Sequence, residues 1–409
     1  MFDVYEIRKQ FPMLNGKTMQ GKPLVFLDNA STTFKPYKVI DAINKYYNDI
    51  TSNSHRGDYD LCHNIDVEIE KSRKVVAEFI NANEDEIVFT SGASMSINLV
   101  AYCYANKFVG KDDEIIISLA EHASNVLPWF KISEKTGCKI KYIPLEPDGR
   151  ITAENLRKVI TKRTKIVAVA HIGNVFGYVT PIKELADVAH EYGAVIAVDG
   201  AQSVPHQKVD VKELGIDFLS FSGHKMLGPT GIGVLWGKRE LLKIMDTFLT
   251  GGGMNVKFES CGNVLELDAP SKFEAGTLNI EGILGLRAAI EFINDIGIDN
   301  ITKHELELKK YFFEQVKDMD NLIIYNKSNE GGIITFNLKG VFAQDEATLL
   351  NSKGIACRSG LHCAKMLPEF LNEVATVRAS TYLYNTKEDI DALVDALKNG
   401  GDILDAYFG

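Results

Sequence analysis

Three apolar runs in this sequence end in side chains that could do chemistry together. Ser220-Phe221-Ser222-Gly223-His224-Lys225 delivers a lysine to the carboxyl end of a buried run, with small neighbours and a histidine beside it. Open α/β sheets bind their ligands at that end of the strands. By itself, a loop lysine reads as a solvated surface charge. A second run, Ala194-Val195-Ile196-Ala197-Val198, leads into Asp199-Gly200-Ala201-Gln202. Alone, Asp199 reads as a helix N-cap. An acid and a lysine at neighbouring strand ends, however, match the needs of pyridoxal phosphate. That cofactor requires an amine to condense with its aldehyde and a carboxylate to keep its pyridine nitrogen protonated.

The cofactor's phosphate needs donors. Thr90-Ser91-Gly92-Ala93-Ser94 follows a third apolar run and opens a helical pattern over 97–105. Backbone N–H groups at that helix start, with the Ser94 hydroxyl, form an anion site, although ordinary N-caps look the same. Glu121-His122-Ala123-Ser124-Asn125 also follows a strand-like run. His122 could stack on a cofactor ring, or merely cap a helix or fill the core.

A thiol completes the set. Cys357-Arg358-Ser359-Gly360-Leu361-His362-Cys363-Ala364 is a glycine-containing loop with two cysteines. The thiolate is the reactive form, so a nucleophilic cysteine belongs on an accessible loop near positive charge. Cys363 has His362 beside it and Arg358 close by, whereas Cys357 ends the apolar run 354–356 and reads as a packed core thiol. Three other readings of Cys363 stay open. A metal pair is poorly served by this spacing, a disulfide is disfavoured in a cytosolic chain, and the thiol could be buried and inert. Arg378, in Val377-Arg378-Ala379-Ser380, reads alone as a strand arginine in a salt bridge.

The elements that must hold these groups are legible as a pattern. β-branched runs at 87–90, 114–118, 139–144, 164–172, 194–198, 217–221 and 231–236 read as buried strands. Helical stretches separate several of them. In the clearest, Thr180 is a candidate N-cap, Pro181 takes the first helical position and Gly193 closes the end. Ile182, Leu185, Ala186 and Ala189 would form its apolar face. This alternation predicts an α/β fold with a mostly parallel sheet covered on both faces. Past 281 the order changes. Two long amphipathic stretches, 281–295 and 300–318, precede strands near 321–325 and 332–337, a short helix, the cysteine loop, a strand around Val377 and a closing helix. Thr386-Lys387-Glu388-Asp389 opens that last helix like a capping box. We expect a large domain over 21–280 and a smaller α+β domain over 281–409, with residues 1–20 packed on the latter. The stretch from Gly251-Gly252-Gly253 to Pro270 reads as a loop.

Composition bounds the rest. The chain has 409 residues, 45% hydrophobic and 24% charged, the balance of a soluble globular protein with room for two domains. Its 45 Lys+Arg against 55 Asp+Glu give a net charge of -10, which argues against nucleic-acid binding. The apolar runs 165–172 and 194–198 are too short to span a bilayer, and Met1-Phe2-Asp3-Val4-Tyr5-Glu6 lacks the pattern of a secretory signal. Six cysteines (Cys62, Cys103, Cys138, Cys261, Cys357, Cys363) in a chain this long do not suggest a disulfide framework. A cytoplasmic protein without a membrane partner or a metal is the expectation.

Taken in order, the Ser-Gly-Ala-Ser turn ending at Ser94, the Glu-His-Ala-Ser-Asn run at His122, Asn174, Asp199-Gly200-Ala201-Gln202 and Ser222-Gly223-His224-Lys225 resemble the class V aminotransferase fold family. Within it, the chain resembles the sulfur-mobilisation (Suf) type, or group II, of cysteine desulfurase, also called the selenocysteine-lyase-like group. The similarity runs from Leu27-Asp28-Asn29-Ala30-Ser31-Thr32 to the final helix, and Phe273-Glu274-Ala275-Gly276-Thr277 matches a further signature. The resemblance implies the fold type I architecture of pyridoxal-phosphate-dependent transferases, with a seven-stranded sheet in the large domain.

It also implies roles. Lys225 would bond the cofactor and carry protons, Asp199 would pair with the pyridine nitrogen, Gln202 with the phenolic oxygen, and His122 would stack on the ring and serve as a proton donor. Ser94, Ser222 and His224 would hold the phosphate together with the backbone at Ala93. Thr277 would reach the phosphate of a second subunit, implying a homodimer. Arg378 would clamp the carboxylate of L-cysteine through two parallel hydrogen bonds, with Asn174 and Arg358 beside it. The family's persulfide cysteine lies in an Arg-(Ser/Thr)-Gly-x-His-Cys-Ala motif, which Arg358–Ala364 matches. The implied reaction converts L-cysteine to L-alanine and leaves a persulfide on Cys363 for an acceptor protein, serving iron–sulfur cluster or thio-cofactor assembly. The short loop around Cys363 implies that the acceptor comes to the mouth of the site. Two departures stand out: Ala123 where relatives often carry a second His, and Met95 where many carry Glu. L-selenocysteine lyase, or another lyase, epimerase or transaminase, is the alternative within the family. A non-catalytic sulfur-carrier or assembly subunit is the alternative outside it, against which the joint presence of Lys225, Cys363 and Arg378 argues.

Overall fold

The computed structural model describes residues 2–54 and 57–399. All seven expected apolar runs become strands of one sheet: β1 (Ile87–Thr90), β2 (Glu114–Ser118), β3 (Lys139–Ile143), β4 (Thr164–Ala170), β5 (Val195–Asp199), β6 (Phe218–Ser222) and β7 (Gly233–Gly237). Their spatial order is β1-β7-β6-β5-β4-β2-β3, and β7 alone runs antiparallel to its neighbours. Burial on both faces explains the near-continuous apolar composition, since a parallel sheet sandwiched by helices has no solvated side. Registry does the positioning. Ala170 pairs with Asp199 and Asp199 with Ser220, so the carboxyl ends of three adjacent strands stop side by side.

Gly233 begins β7 where it must be glycine. A Cβ there would lie 2.4 Å from Gly92 Cα and 2.6 Å from the Phe221 carbonyl oxygen. The turn after β1 can therefore press against the sheet, and the following helix begins at Ala93 rather than at 97. The helix Ile182–Glu191 buries the expected face, including Ile182, Leu185, Ala186 and Ala189. Its cap differs from the sequence reading. Pro181 is the N-cap residue, because the Thr180 hydroxyl is spent on the Ala170 carbonyl (2.7 Å) at the end of β4. Gly193, at φ 78°, closes the far end as expected.

The C-terminal part carries a four-stranded antiparallel sheet of β8 (Leu322–Ile324), β9 (Ile333–Leu338), β10 (Arg358–Gly360) and β11 (Thr376–Ser380), ordered β8-β9-β11-β10. The helices Ile298–Val316 and Lys387–Asn399 cover it, and Phe312, Ile334, Phe336, Val377, Ile390 and Leu393 share its core. The capping box forms with aspartate: the Thr386 N–H donates to Asp389 Oδ2 (3.1 Å) and the Asp389 N–H to Thr386 Oγ1 (3.4 Å). Val25 and Leu27 join this core, and Val25–Phe26 pairs in parallel with Ile355–Ala356. The N-terminal segment docks nearby, with Arg8 on Asp389 (2.9 Å) and Phe11 edge-on to Tyr384. Met1 and residues 400–409 of the expected small domain lie outside the described residues.

One expected loop is not a loop. Within 251–270 the strands Asn255–Phe258 and Val264–Glu266 pair as an antiparallel hairpin. Both strands are largely exposed, Phe258 at 74%, so no one-sided burial pattern marks them in the sequence. Among the described residues no helix is long and apolar enough to cross a membrane, and no group of three or more His, Cys, Asp and Glu residues is placed to hold a metal ion.

Candidate active site

A cavity of ≈ 180 Å³ opens where the strand ends of the large sheet meet the cysteine loop and β11. Lys225 enters it from the turn Gly223–Lys225 that follows β6. The turn is tightly held. The Gly223 N–H donates to the Ile232 carbonyl (2.9 Å), while the His224 carbonyl accepts from the Thr33 N–H (3.0 Å), the Thr32 hydroxyl (3.1 Å) and the Lys35 amine (3.1 Å). Burial lowers the Lys225 amine to about 8 against the pull of Asp199, with Arg378 and Arg358 adding to the lowering. Asp199 ends β5 at 7% exposure, and burial raises its carboxyl against the effect of Lys225. Its Oδ1 accepts the Ala201 N–H (2.9 Å).

At one end of the cavity, Ser222 Oγ accepts the Ala93 N–H (2.8 Å), the Ser94 and Ser124 hydroxyls bond each other (2.7 Å), and His224 completes the wall. Gln202 donates to the Ala30 carbonyl (2.7 Å), and its buried Oε1 has no partner among the described residues. His122 lines the cavity, lowered to about 4 by burial and then by the charges of Lys225, Arg358 and Arg378. The Ser124 N–H donates to its Nδ1 (3.1 Å), so the neutral ring keeps its proton on Nε2. Directly before it in sequence, Glu121 is buried, a position that the sequence reading did not single out. It takes the Ser118 hydroxyl (2.7 Å) and the Asn125 amide (2.8 Å), and burial, assisted by Asp199, raises it to about 7. Its place directly before His122 was the available signal.

The cysteine loop closes the other side. Cys363 is half-buried, with Arg358 Nη2 3.6 Å from its sulfur. His362 and Cys363 both take left-handed backbone angles (φ 48° and 60°), which side chains other than glycine adopt at a cost. Neighbouring contacts enforce them: the Ala123 N–H donates to the Cys363 carbonyl (2.8 Å), and Asn174 Nδ2 to the His362 carbonyl (2.7 Å). The Ala123 departure thus still serves the loop, through its backbone. Cys357 and Cys363 are free thiols, so the disulfide reading falls. Cys357 packs against the small-sheet core, and burial pushes its thiol up. Arg378, 1% exposed, donates from Nη1 to the Asn174 carbonyl (2.8 Å) and from Nη2 to Ser31 Oγ (2.9 Å) and Asp28 Oδ1 (3.1 Å). Asp28 and Ser31 had no role in the sequence reading.

The structure thus gathers Ala93, Ser94, His122, Asn174, Asp199 and Gln202 around one cavity, together with Ser222, His224, Lys225, Arg358 and Arg378. Cys363 reaches it through Arg358. Thr277 is exposed and stands outside the cavity of its own chain. The donor set fits pyridoxal phosphate. Hydroxyls and a helix start cluster at one end, Lys225 and the buried Asp199 carboxylate line the same cavity, and Gln202 Oε1 is buried without a hydrogen-bond partner among the described residues.

The chain is similar to several known proteins. The family model for aminotransferase class-V matches residues 25–393. A probable cysteine desulfurase of Halalkalibacterium halodurans is 46% identical over 408 residues, covering 100% of this chain and 99% of that protein. The crystal structure of the cysteine desulfurase CsdA from Escherichia coli superposes with a TM-score of 0.91 at 37% identity, covering 98% of each chain. Cysteine desulfurase from Thermococcus onnurineus gives 0.91 at 35% identity, covering 96% of this chain and 97% of that one.

Proposed function

The chain belongs to the class V aminotransferase family, and from that premise we propose that it is a pyridoxal-phosphate-dependent cysteine desulfurase whose persulfide forms on Cys363. The observation that carries this reading is one cavity shared by a lysine amine, a buried carboxylate and an arginine, with a guanidinium-contacted thiol at its edge. A transaminase needs the first three and has no use for the fourth.

When bound, pyridoxal phosphate supplies an aldehyde for the amino group and a ring that accepts electrons from the α-carbon. Lys225 would anchor it through Nζ, Ser94, Ser222 and His224 would hold its phosphate, with the Ala93 N–H fixing the Ser222 hydroxyl (2.8 Å), and Asp199 would keep the ring nitrogen protonated. His122 would cover the ring, and Gln202 would meet the phenolic oxygen. Arg378 then fixes the carboxylate of L-cysteine, with Asn174 and Arg358 beside it. Lys225 Nζ, with its lowered proton affinity, takes the α-proton at neutral pH more readily than a solvated lysine does. Cys363 Sγ attacks the substrate sulfur. An S–S bond forms as the substrate's Cβ–S bond breaks, and the bonding electrons stay with the carbon fragment. Protons returned to that fragment, with His122 Nε2–H one donor at hand, yield L-alanine. The persulfide sulfur leaves to an acceptor protein at the cavity mouth, since the pinned loop cannot carry Cys363 far. That restraint supports the short-loop, Suf-type group.

We further place Thr277 at the phosphate of a second copy, making the working form a homodimer, and the free thiols support a cytoplasmic setting. The test of the functional reading is Cys363→Ser with L-cysteine and a reductant. The variant should keep the cofactor colour and release no sulfide above background, and undiminished release would reject the nucleophile.

A further inference from the structure

Two arginines in this site should repel each other. Arg358 on β10 and Arg378 on β11 are register partners in an antiparallel pair, so both side chains leave the same face of the sheet. Like charges directly opposite one another destabilise such a pair. The site needs both: by the functional reading above, one takes the substrate carboxylate and the other faces the thiol.

A single hydroxyl stands between them. Ser31 Oγ accepts from Arg358 Nη1 (3.0 Å) and from Arg378 Nη2 (2.9 Å), and donates to Asp28 Oδ1 (2.7 Å). One donated and two accepted bonds exhaust what a hydroxyl can make. Asp28 Oδ1 also accepts from Arg378 Nη2 (3.1 Å), so one carboxylate serves the pair of guanidiniums, directly for one and through Ser31 for the other. The backbone provides the geometry, because the Ser31 N–H bonds the Asp28 carbonyl (3.1 Å) and folds the two side chains together. With Nη1 tied to Ser31, Arg358 presents Nη2 to the Cys363 sulfur. Arg378 is tied at Nη2 by the same atom and at Nη1 by the Asn174 carbonyl.

We propose that Ser31, charged from behind by Asp28, is the positioning residue that holds Arg358 and Arg378 apart and assigns them different tasks: Arg378 to the substrate carboxylate, Arg358 to the Cys363 thiolate. Its loss should damage two things that no ordinary packing defect would couple, the affinity for L-cysteine and the reactivity of one thiol.

The experiment compares the parent holoenzyme with Ser31→Ala, Ser31→Thr and Asp28→Asn. Two quantities are read: KM and kcat for L-cysteine, and the rate at which iodoacetamide alkylates Cys363 without substrate, followed by peptide mass spectrometry. For Ser31→Ala we expect KM to rise about tenfold, the weight of one hydrogen bond to a charged group, with a smaller change in kcat. Alkylation should slow severalfold, because an untethered Arg358 no longer stays at the sulfur. Ser31→Thr, which keeps the hydroxyl, should restore both values, and Asp28→Asn should move both as Ser31→Ala does. Unchanged KM and alkylation in Ser31→Ala would overturn the proposal, as would a Ser31→Thr protein no better than Ser31→Ala. A parent that makes no alanine would reject the functional reading instead, and the alkylation rates, which need no substrate, would still decide the role of Ser31.

Discussion

Arg358 and Arg378 stand directly opposite each other on adjacent antiparallel strands, and the strand of Arg358 runs on into the loop that carries Cys363. The small sheet therefore delivers Arg378, the proposed carboxylate clamp, and the thiol's cationic neighbour Arg358 as one rigid unit. The large sheet delivers Asp199 and Lys225 from the ends of β5 and β6, separated in sequence by a helix and aligned in space by parallel registry. The chemistry sits where the two sheets face each other.

Arg378→Lys should separate charge from shape. Lysine keeps the positive charge and loses the planar fork that meets a carboxylate with two parallel bonds. We expect kcat/KM for L-cysteine to fall by roughly tenfold to a hundredfold, as for a lost charge-assisted hydrogen bond, with the cofactor colour retained. Steady-state alanine production checks it.

Lys225 gives a pH signature. An amine lowered to about 8 is increasingly neutral, hence nucleophilic, as pH rises toward that value, and gains little beyond it. Uptake of pyridoxal phosphate by the cofactor-free protein, followed by absorbance in stopped flow, should accelerate from pH 6.5 to about 8 and level off above it. A rate still climbing steeply at pH 9.5 would mean an ordinary lysine.

Glu121 should weaken the cofactor-free protein as pH rises. Its carboxyl is raised to about 7 in the fold, so between the ordinary carboxylate range and about 7 the folded state binds more protons than the unfolded. Stability from this group is then present at low pH and lost as pH climbs through that window. Glu121→Gln removes the dependence. Urea unfolding of the cofactor-free proteins should show the variant gaining on the parent by up to about 3 kcal/mol between pH 5 and pH 7.5.

Glu274 belongs to the Phe-Glu-Ala-Gly-Thr signature, and the structure explains why an acid is there. It receives Arg73 through two bonds of 2.9 Å and the Phe89 N–H at 2.8 Å, joining the Thr277 segment to β1. Both side chains are almost fully buried. Removing one member of such a pair leaves an uncompensated charge, so Arg73→Met should cost about 3–5 kcal/mol in urea unfolding.

Much of this was legible in the sequence because seven β-branched runs buried on both faces leave an unbroken apolar signature, because Asp199 and Lys225 each follow one, and because Cys363 sits in a glycine-containing loop beside Arg358 and His362. What stayed hidden has physical causes. Thr180 matched an N-cap by type, but a strand-end carbonyl outcompeted the helix for its hydroxyl. The hairpin Asn255–Phe258 with Val264–Glu266 exposes both faces and so carries no alternation to read. Asp28 and Ser31 lie more than three hundred residues from the arginines they hold, and no local spacing announces such a contact.

The most direct measurement of the central claim is mass analysis of the purified holoenzyme after brief exposure to L-cysteine without reductant. We expect the peptide containing Cys363 to gain the mass of one sulfur atom, in step with the alanine formed, while the other cysteine peptides stay unchanged. Alanine appearing with Cys363 unmodified, or sulfur accumulating on Cys357 instead, would contradict it.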